Sequence, residues 1–125
     1  NNAGMWMASG GYDEIAEALF KRAGAFDAYL LEYDDDRSGT FEPLAQAPDD
    51  RQVVLGLVST KRAGEEPREA IAARVDDAAR HFPREQLGVS TQCGFASIAD
   101  GNPISEEDQE RKLRLVAEVA ETVWG

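Results

Sequence analysis

The chain has 125 residues, and its 13 Lys and Arg against 24 Asp and Glu give a net charge of −11 at pH 7. That balance argues against a nucleic-acid or anionic-membrane surface, because phosphate binding needs clustered cations. A mass of 13.6 kDa means one domain or part of one, large enough to bury roughly two-thirds of its unfolded surface. The 42% apolar and 30% charged content fits a soluble globular protein.

The single cysteine cannot form an internal disulfide, so nothing requires an oxidising compartment and the thiol becomes a candidate for chemistry. The longest apolar run, Val53 to Val58, is far short of the roughly 20 residues that span a bilayer. The opening Asn1, Asn2, Ala3 and Gly4 carry no signal-peptide pattern, so a cytoplasmic protein is expected. A start without methionine is a first hint of truncation or processing.

After a Gly-rich entry, Tyr12, Ile15, Ala16, Leu19, Phe20 and Ala23 recur at the spacing of one buried helical stripe, closed by Gly24. Trp6, with Met5 and Met7, either walls a pocket or packs. Ala28 to Leu31 is a short apolar run that meets Glu32, Tyr33 and the acidic Asp34, Asp35 and Asp36, and reads as a buried strand over 28–33 entering a solvated acidic turn. The spacing of those aspartates matches no calcium loop. A helical turn is expected near Phe41 to Ala45.

Val53 to Val58 is apolar on both faces, as in a parallel strand covered on either side. Pro67 suits the first turn of a helix whose stripe is Ile71, Val75, Ala78, Ala79 and Phe82, ended by Pro83. A third strand is expected over 87–91. The last helix opens with Ser105 and Asp108 in a capping pattern, and its predicted stripe is Leu113, Val116, Ala117, Ala120, Val123 and Trp124.

Strands beginning near 28, 53 and 87 are spaced like βαβ units of roughly 30 residues. Three such units do not close a sheet, and a complete eight-unit barrel needs roughly 250 residues. The expected fold is therefore α/β, the C-terminal portion of a TIM-type (β/α)8 barrel, with 1–125 as a partial barrel domain. The alternatives are a small sandwich that folds alone, or an oligomer in which another copy of the chain supplies the missing strands.

In parallel α/β folds the functional groups gather after the carboxyl ends of the strands. Those positions hold Glu32, then Ser59 and Thr60, then Thr91, Gln92 and Cys93. The first and third strands should lie roughly 10 Å apart before curvature, within reach of a common metal. On the residues alone, Cys93 reads equally as a buried small hydrophobe, and Glu32 as an exposed carboxylate or a partner of Arg37. His81 falls at a helix end on the opposite rim, where capping or solvent exposure explains it.

The segments GGYDEIAEALF (10–20), LLEYDDDRSGTFEPL (30–44), VVLGLVSTK (53–61), STQCGFASIADGN (90–102) and RKLRLVAEVAETVWG (111–125) resemble the C-terminal catalytic barrel of cobalamin-independent methionine synthases. The resemblance is nearest to the shorter, single-barrel members, a group that includes relatives such as epoxyalkane:coenzyme M transferase. It implies a catalytic zinc held by a His-x-Cys pair, a glutamate matching Glu32 and a cysteine matching Cys93. The His-x-Cys pair has no counterpart in this sequence. Where the long synthases carry a histidine suspected of acid catalysis after the middle strand, this chain departs with Ser59 and Thr60, whose place at the strand end makes them candidate substrate-binding residues. The implied reaction moves a methyl group from methyl-tetrahydrofolate to the thiol of homocysteine, with the remainder of the barrel as partner. Alkyl transfer to another thiol, and a non-catalytic interaction module, are the alternative functions.

Overall fold

The computed structural model describes residues 5, 8–22, 25–64 and 66–125. The suggested grouping of Trp6 and Met7 with Met5, and the Ala23–Gly24 end of the first helix, lie outside them.

Three strands, β1 (Ala28–Glu32), β2 (Gln52–Val58) and β3 (Leu87–Thr91), form a parallel sheet in the order β1-β2-β3. Two helices follow β2 and β3, α1 (Arg68–Ala78) and α2 (Glu106–Trp124). The expected strands are thus found, and the expected turn near Phe41 is a short 3-10 segment, Glu42–Gln46.

Parallel register sorts the side chains by face. Tyr29, Leu31, Val53, Leu55 and Leu87 enter one core with Ile71, Val75, Ala78, Phe82 and Val119, so the helices cover that face of the sheet. The other face carries Leu30, Val54 and Gly88 at one level and Glu32, Gly56 and Ser90 at the next. Leu30 there is 73% exposed. This is an open sheet with helices on one side, the arrangement of part of a barrel wall.

Two helical expectations need correction. Ile15 is exposed rather than part of the buried stripe, although Ala16 and Phe20 are fully buried. The reason is local: residues Glu17–Arg22 wind as a π-helical turn, wider than the α-helix on which the spacing was read. In α2 the buried side is Lys112 and Val119, with Leu115, Val116 and Val123 partly buried, while Leu113 and Ala117 face out. Lys112 lays its apolar stem inward to reach Glu66, which turns the helix away from the face its apolar letters suggest. The capping box of Ser105 and Asp108 is present as read.

Candidate metal centre

Glu32 is the last residue of β1. Its backbone N–H donates to the Tyr12 hydroxyl at 2.9 Å, which fixes the strand end. Gly56 of β2 pairs with it, flanked on the other side by Ser90 of β3. A Cβ on Gly56 would lie 2.9 Å from Gln92 Cα and 3.1 Å from Leu31 O. The missing side chain therefore lets the end of β3 fold close over the middle strand. An irregularity between Gly56 and Val58 sets two residues of β2 against one of β3, and Gln92 N–H then donates to Val58 O at 2.8 Å.

This backbone places Cys93 directly opposite Glu32. The Cys93 thiol donates to Glu32 Oε1 at 3.1 Å, so two side chains from the outer strands meet across the central one. The second carboxylate oxygen, Oε2, accepts from Arg37 Nη2 at 2.6 Å. Arg37 also holds Asp34 Oδ1 at 3.2 Å and Asp35 Oδ1 at 3.3 Å. Glu32 is therefore the ion-pair partner of Arg37, as one sequence reading had it, and a neighbour of the thiol. Cys93 is exposed, not a buried hydrophobe.

The acidic turn is not uniformly solvated. Asp36 is exposed, but Asp34 is buried against Arg37, with its Oδ2 lacking a hydrogen bond. Burial lifts its carboxyl above the ordinary value, and the charge of Asp35 adds to that.

Ser59 and Thr60 are both buried beneath the rim. The Thr60 hydroxyl donates to Gln92 Oε1 at 3.1 Å, and Ser59 N–H donates to Glu66 Oε1 at 2.9 Å. Thr60 is thus tied to the site through Gln92, whose buried Nε2 faces Glu32 without closing a hydrogen bond of normal geometry. Lys61 escaped the sequence reading although it directly follows Thr60. It is buried at the same rim and donates to Ser97 Oγ at 2.7 Å. His81 lies beyond α1, remote from this cluster in the fold, as expected.

Electrostatics divide the two acids. Burial would raise the Glu32 carboxyl, but Arg37, Gln92 and the thiol outweigh it and hold it down at about 2. Burial raises the Cys93 thiol, and the hydrogen bond and charge of Glu32 raise it further, while Lys61 opposes them. At neutral pH the pair is a carboxylate facing a thiol.

As a test for zinc, the donor set fits. Oxygen and sulfur donors 3.1 Å apart match the roughly 3.5 Å between ligands that tetrahedral coordination implies. Arg37 on the far oxygen leaves Oε1 directed at the thiol side, the kind of outer support that orients metal-binding carboxylates. No cluster of three His, Cys, Asp or Glu occurs among the described residues. The described residues therefore offer two donors where catalytic zinc takes three from protein.

A family profile described as the cobalamin-independent synthase catalytic domain matches residues 12–121. The chain belongs to that family. Two Bacillus subtilis proteins, both described as uncharacterized, YxjH and YxjG, are each 47% identical over 120 residues, covering 95% of this chain and 32% of theirs. The crystal structure of a putative vitamin-B12 independent methionine synthase from Listeria monocytogenes superposes with a TM-score of 0.72 at 36% identity, over 93% of this chain and 33% of that one. A B12-independent methionine synthase from Shewanella sp. W3-18-1, solved in complex with selenomethionine, gives the same TM-score of 0.72 at 23% identity, over 90% of this chain and 30% of that one, and supports the fold. The chain spans about a third of the length of these relatives. The open three-stranded sheet accordingly matches part of the barrel of a synthase-like catalytic domain. Among the described residues no helix is long and apolar enough to cross a membrane.

Proposed function

We propose that this chain is the C-terminal part of a zinc-dependent thiol methyltransferase that moves a methyl group from methyl-tetrahydrofolate to homocysteine, forming methionine. Glu32 and Cys93 are its two zinc ligands, and the remainder of the barrel, or another copy of the chain, provides the rest. The observation that carries the reading is the 3.1 Å approach of Cys93 Sγ to Glu32 Oε1 at the carboxyl rim of a parallel sheet.

Bound there, zinc would supply Lewis acidity to a substrate sulfur, favouring the thiolate that an unassisted thiol of pKa near 8.5 largely withholds at neutral pH. The residues of the chain do the positioning. Cys93 gives up its proton on binding the metal, and Glu32 arrives already ionised. Arg37 fixes the carboxylate from behind, and Gln92, braced by Thr60, packs beside it. Ser59 and Thr60 support the substrate side of the rim from below. The working compartment is the cytoplasm.

The experiment is elemental analysis of the full-length protein with its C93A and E32A variants, together with an assay for methionine formation. Stoichiometric zinc in the parent, lost with activity in both variants, is the expected result. Zinc retained undiminished in C93A would overturn the ligand assignment. Zinc-dependent alkylation of another thiol by an epoxide, without methionine formation, would overturn the substrate assignment.

A further inference from the structure

Three buried polar side chains join the loops that follow β2 and β3. Thr60 has no exposed surface, and Gln92 and Asn102 are 7% and 9% exposed. The Thr60 hydroxyl donates to Gln92 Oε1 at 3.1 Å, and the Thr60 carbonyl accepts from Asn102 Nδ2 at 2.8 Å. Asn102 Oδ1 in turn accepts from Ser97 N at 3.1 Å and from Ser97 Oγ at 2.8 Å. Both ends of the loop that carries Cys93 are therefore fastened to one residue, Thr60.

Cys93 needs such a support. It is exposed, so packing does not fix it, and it directly follows the Gln92 N–H bond to Val58 O that ties this loop to the sheet. Its carbonyl accepts from the Thr91 hydroxyl at 3.0 Å, which curls the turn. The direction in which the chain leaves the sheet is thus set at Gln92, whose Cα closes over Gly56 and whose side chain is tied to Thr60. Burying three hydrogen-bonding side chains costs desolvation that apolar residues of the same shape would avoid, and a polar network fixes one geometry in return. As a purely structural device this one is incomplete. Among the described residues Gln92 Nε2 has no hydrogen-bond partner, although it is buried, a deficit that calls for a functional reason.

We propose that Thr60 and Asn102 are positioning residues for the metal centre: acting through Gln92, they hold the Cys93 sulfur beside Glu32 and touch no substrate themselves. This inference rests on the zinc reading above and adds the part of the chain that sets the sulfur-to-oxygen distance. It also moves Thr60 out of the substrate-binding role suggested by its place at a strand end, because a side chain without exposed surface does not meet a molecule arriving from solvent.

The full-length protein is compared with T60V, T60S and N102A. T60V keeps the shape of the side chain and removes the hydroxyl, whereas T60S keeps the hydroxyl. Zinc affinity, measured by competition with a chelator, should fall about 10-fold in T60V and N102A, the lower end of the range for residues behind a metal ligand, and recover in T60S. With cobalt in place of zinc, the sulfur-to-cobalt charge-transfer absorption per bound ion should weaken in T60V and N102A and return in T60S. At saturating zinc, KM for the thiol should stay level while kcat falls. A raised KM with unaltered zinc affinity and cobalt spectrum would make Thr60 a substrate contact and overturn the proposal. Lower melting temperatures alone, with affinity and spectrum as in the parent, would leave the network a purely structural one and overturn it equally. Crystal structures of the metal-free proteins separate this role from the zinc reading: in T60V and N102A, Cys93 Sγ should move beyond hydrogen-bond distance of Glu32 Oε1. That displacement, with a parent that binds neither zinc nor cobalt, would overturn the zinc reading and leave the positioning role standing. An unmoved sulfur would overturn the positioning role whatever the metal does. Should either T60V or N102A fail to fold, the other decides.

Discussion

Cys93 Sγ stands 3.1 Å from Glu32 Oε1, although 61 positions separate the two residues in the chain. They belong to the two outer strands, and the contact exists because the strand between them carries glycine at the crossing point. The carboxylate favours the protonated thiol, and the thiol, after Arg37 and Gln92, favours the ionised carboxylate.

The first consequence is a slow thiol. With its proton held by burial and by the negative Glu32, Cys93 should be alkylated by iodoacetamide slowly at pH 7, with the rate rising through a midpoint above that of an ordinary thiol. E32Q removes the charge and should speed alkylation at pH 8 several-fold. Zinc should protect the parent. Equal rates for parent and E32Q would show that Glu32 does not govern the thiol.

Arg37 should matter least in strong acid. Glu32 titrates at about 2 in the folded chain against an ordinary 4.5, so its pairing contributes stability that is complete above about 4.5 and lost as the pH falls toward 2. R37M removes the main stabilising partner of the carboxylate while burial still penalises the charge. Its stability, followed by circular dichroism in denaturant, should fall most above about pH 4.5, where the pairing contributes fully, and the difference from the parent should shrink as the pH falls toward 2. On the proposed ligand assignment, zinc affinity should fall about 10- to 100-fold, the cost of losing an outer support of a metal ligand.

Gly56 tests the backbone side of the same geometry. In G56A the new methyl would meet Gln92 Cα at 2.9 Å and the carbonyl oxygens of Leu31 and Thr91 at 3.1 and 3.2 Å, all main-chain atoms with little freedom to yield. A cost of about 1–3 kcal/mol is expected, read as a lower melting temperature. Zinc should weaken too, because Gln92 and Cys93 must move together.

The frame of the fold was legible because it depends on short-range pattern. Val53 to Val58 is apolar in a way only a central strand uses, and Ile71, Val75 and Ala78 recur at true α-helical spacing. The pattern failed where a polar residue took an apolar role, as Lys112 does in α2, and where the helix was of another pitch, as at Glu17–Arg22. Glu32 and Cys93 stood out because strand ends are where parallel sheets carry chemistry. The triple engagement of Arg37, the Thr60–Gln92 bond and the buried state of Lys61 depend on which loops meet in space, and neither spacing nor composition encodes that.

The Lys112–Glu66 pair offers a test away from the thiol. K112M leaves Glu66 half-enclosed and without its cation, at a cost expected to approach about 3–5 kcal/mol for a broken buried pair. The double variant K112M with E66L should recover much of that loss in denaturant unfolding. Because Glu66 also accepts from Ser59 N–H, the recovery should stay incomplete.

Leu30 and Glu32 lie two residues apart on one strand and point the same way, with Val54 and Gly88 level with the first and Gly56 and Ser90 level with the second. With Leu30 73% exposed, that repeat sets an open apolar step beneath the carboxylate, a ledge that any element covering this face of the sheet would bury.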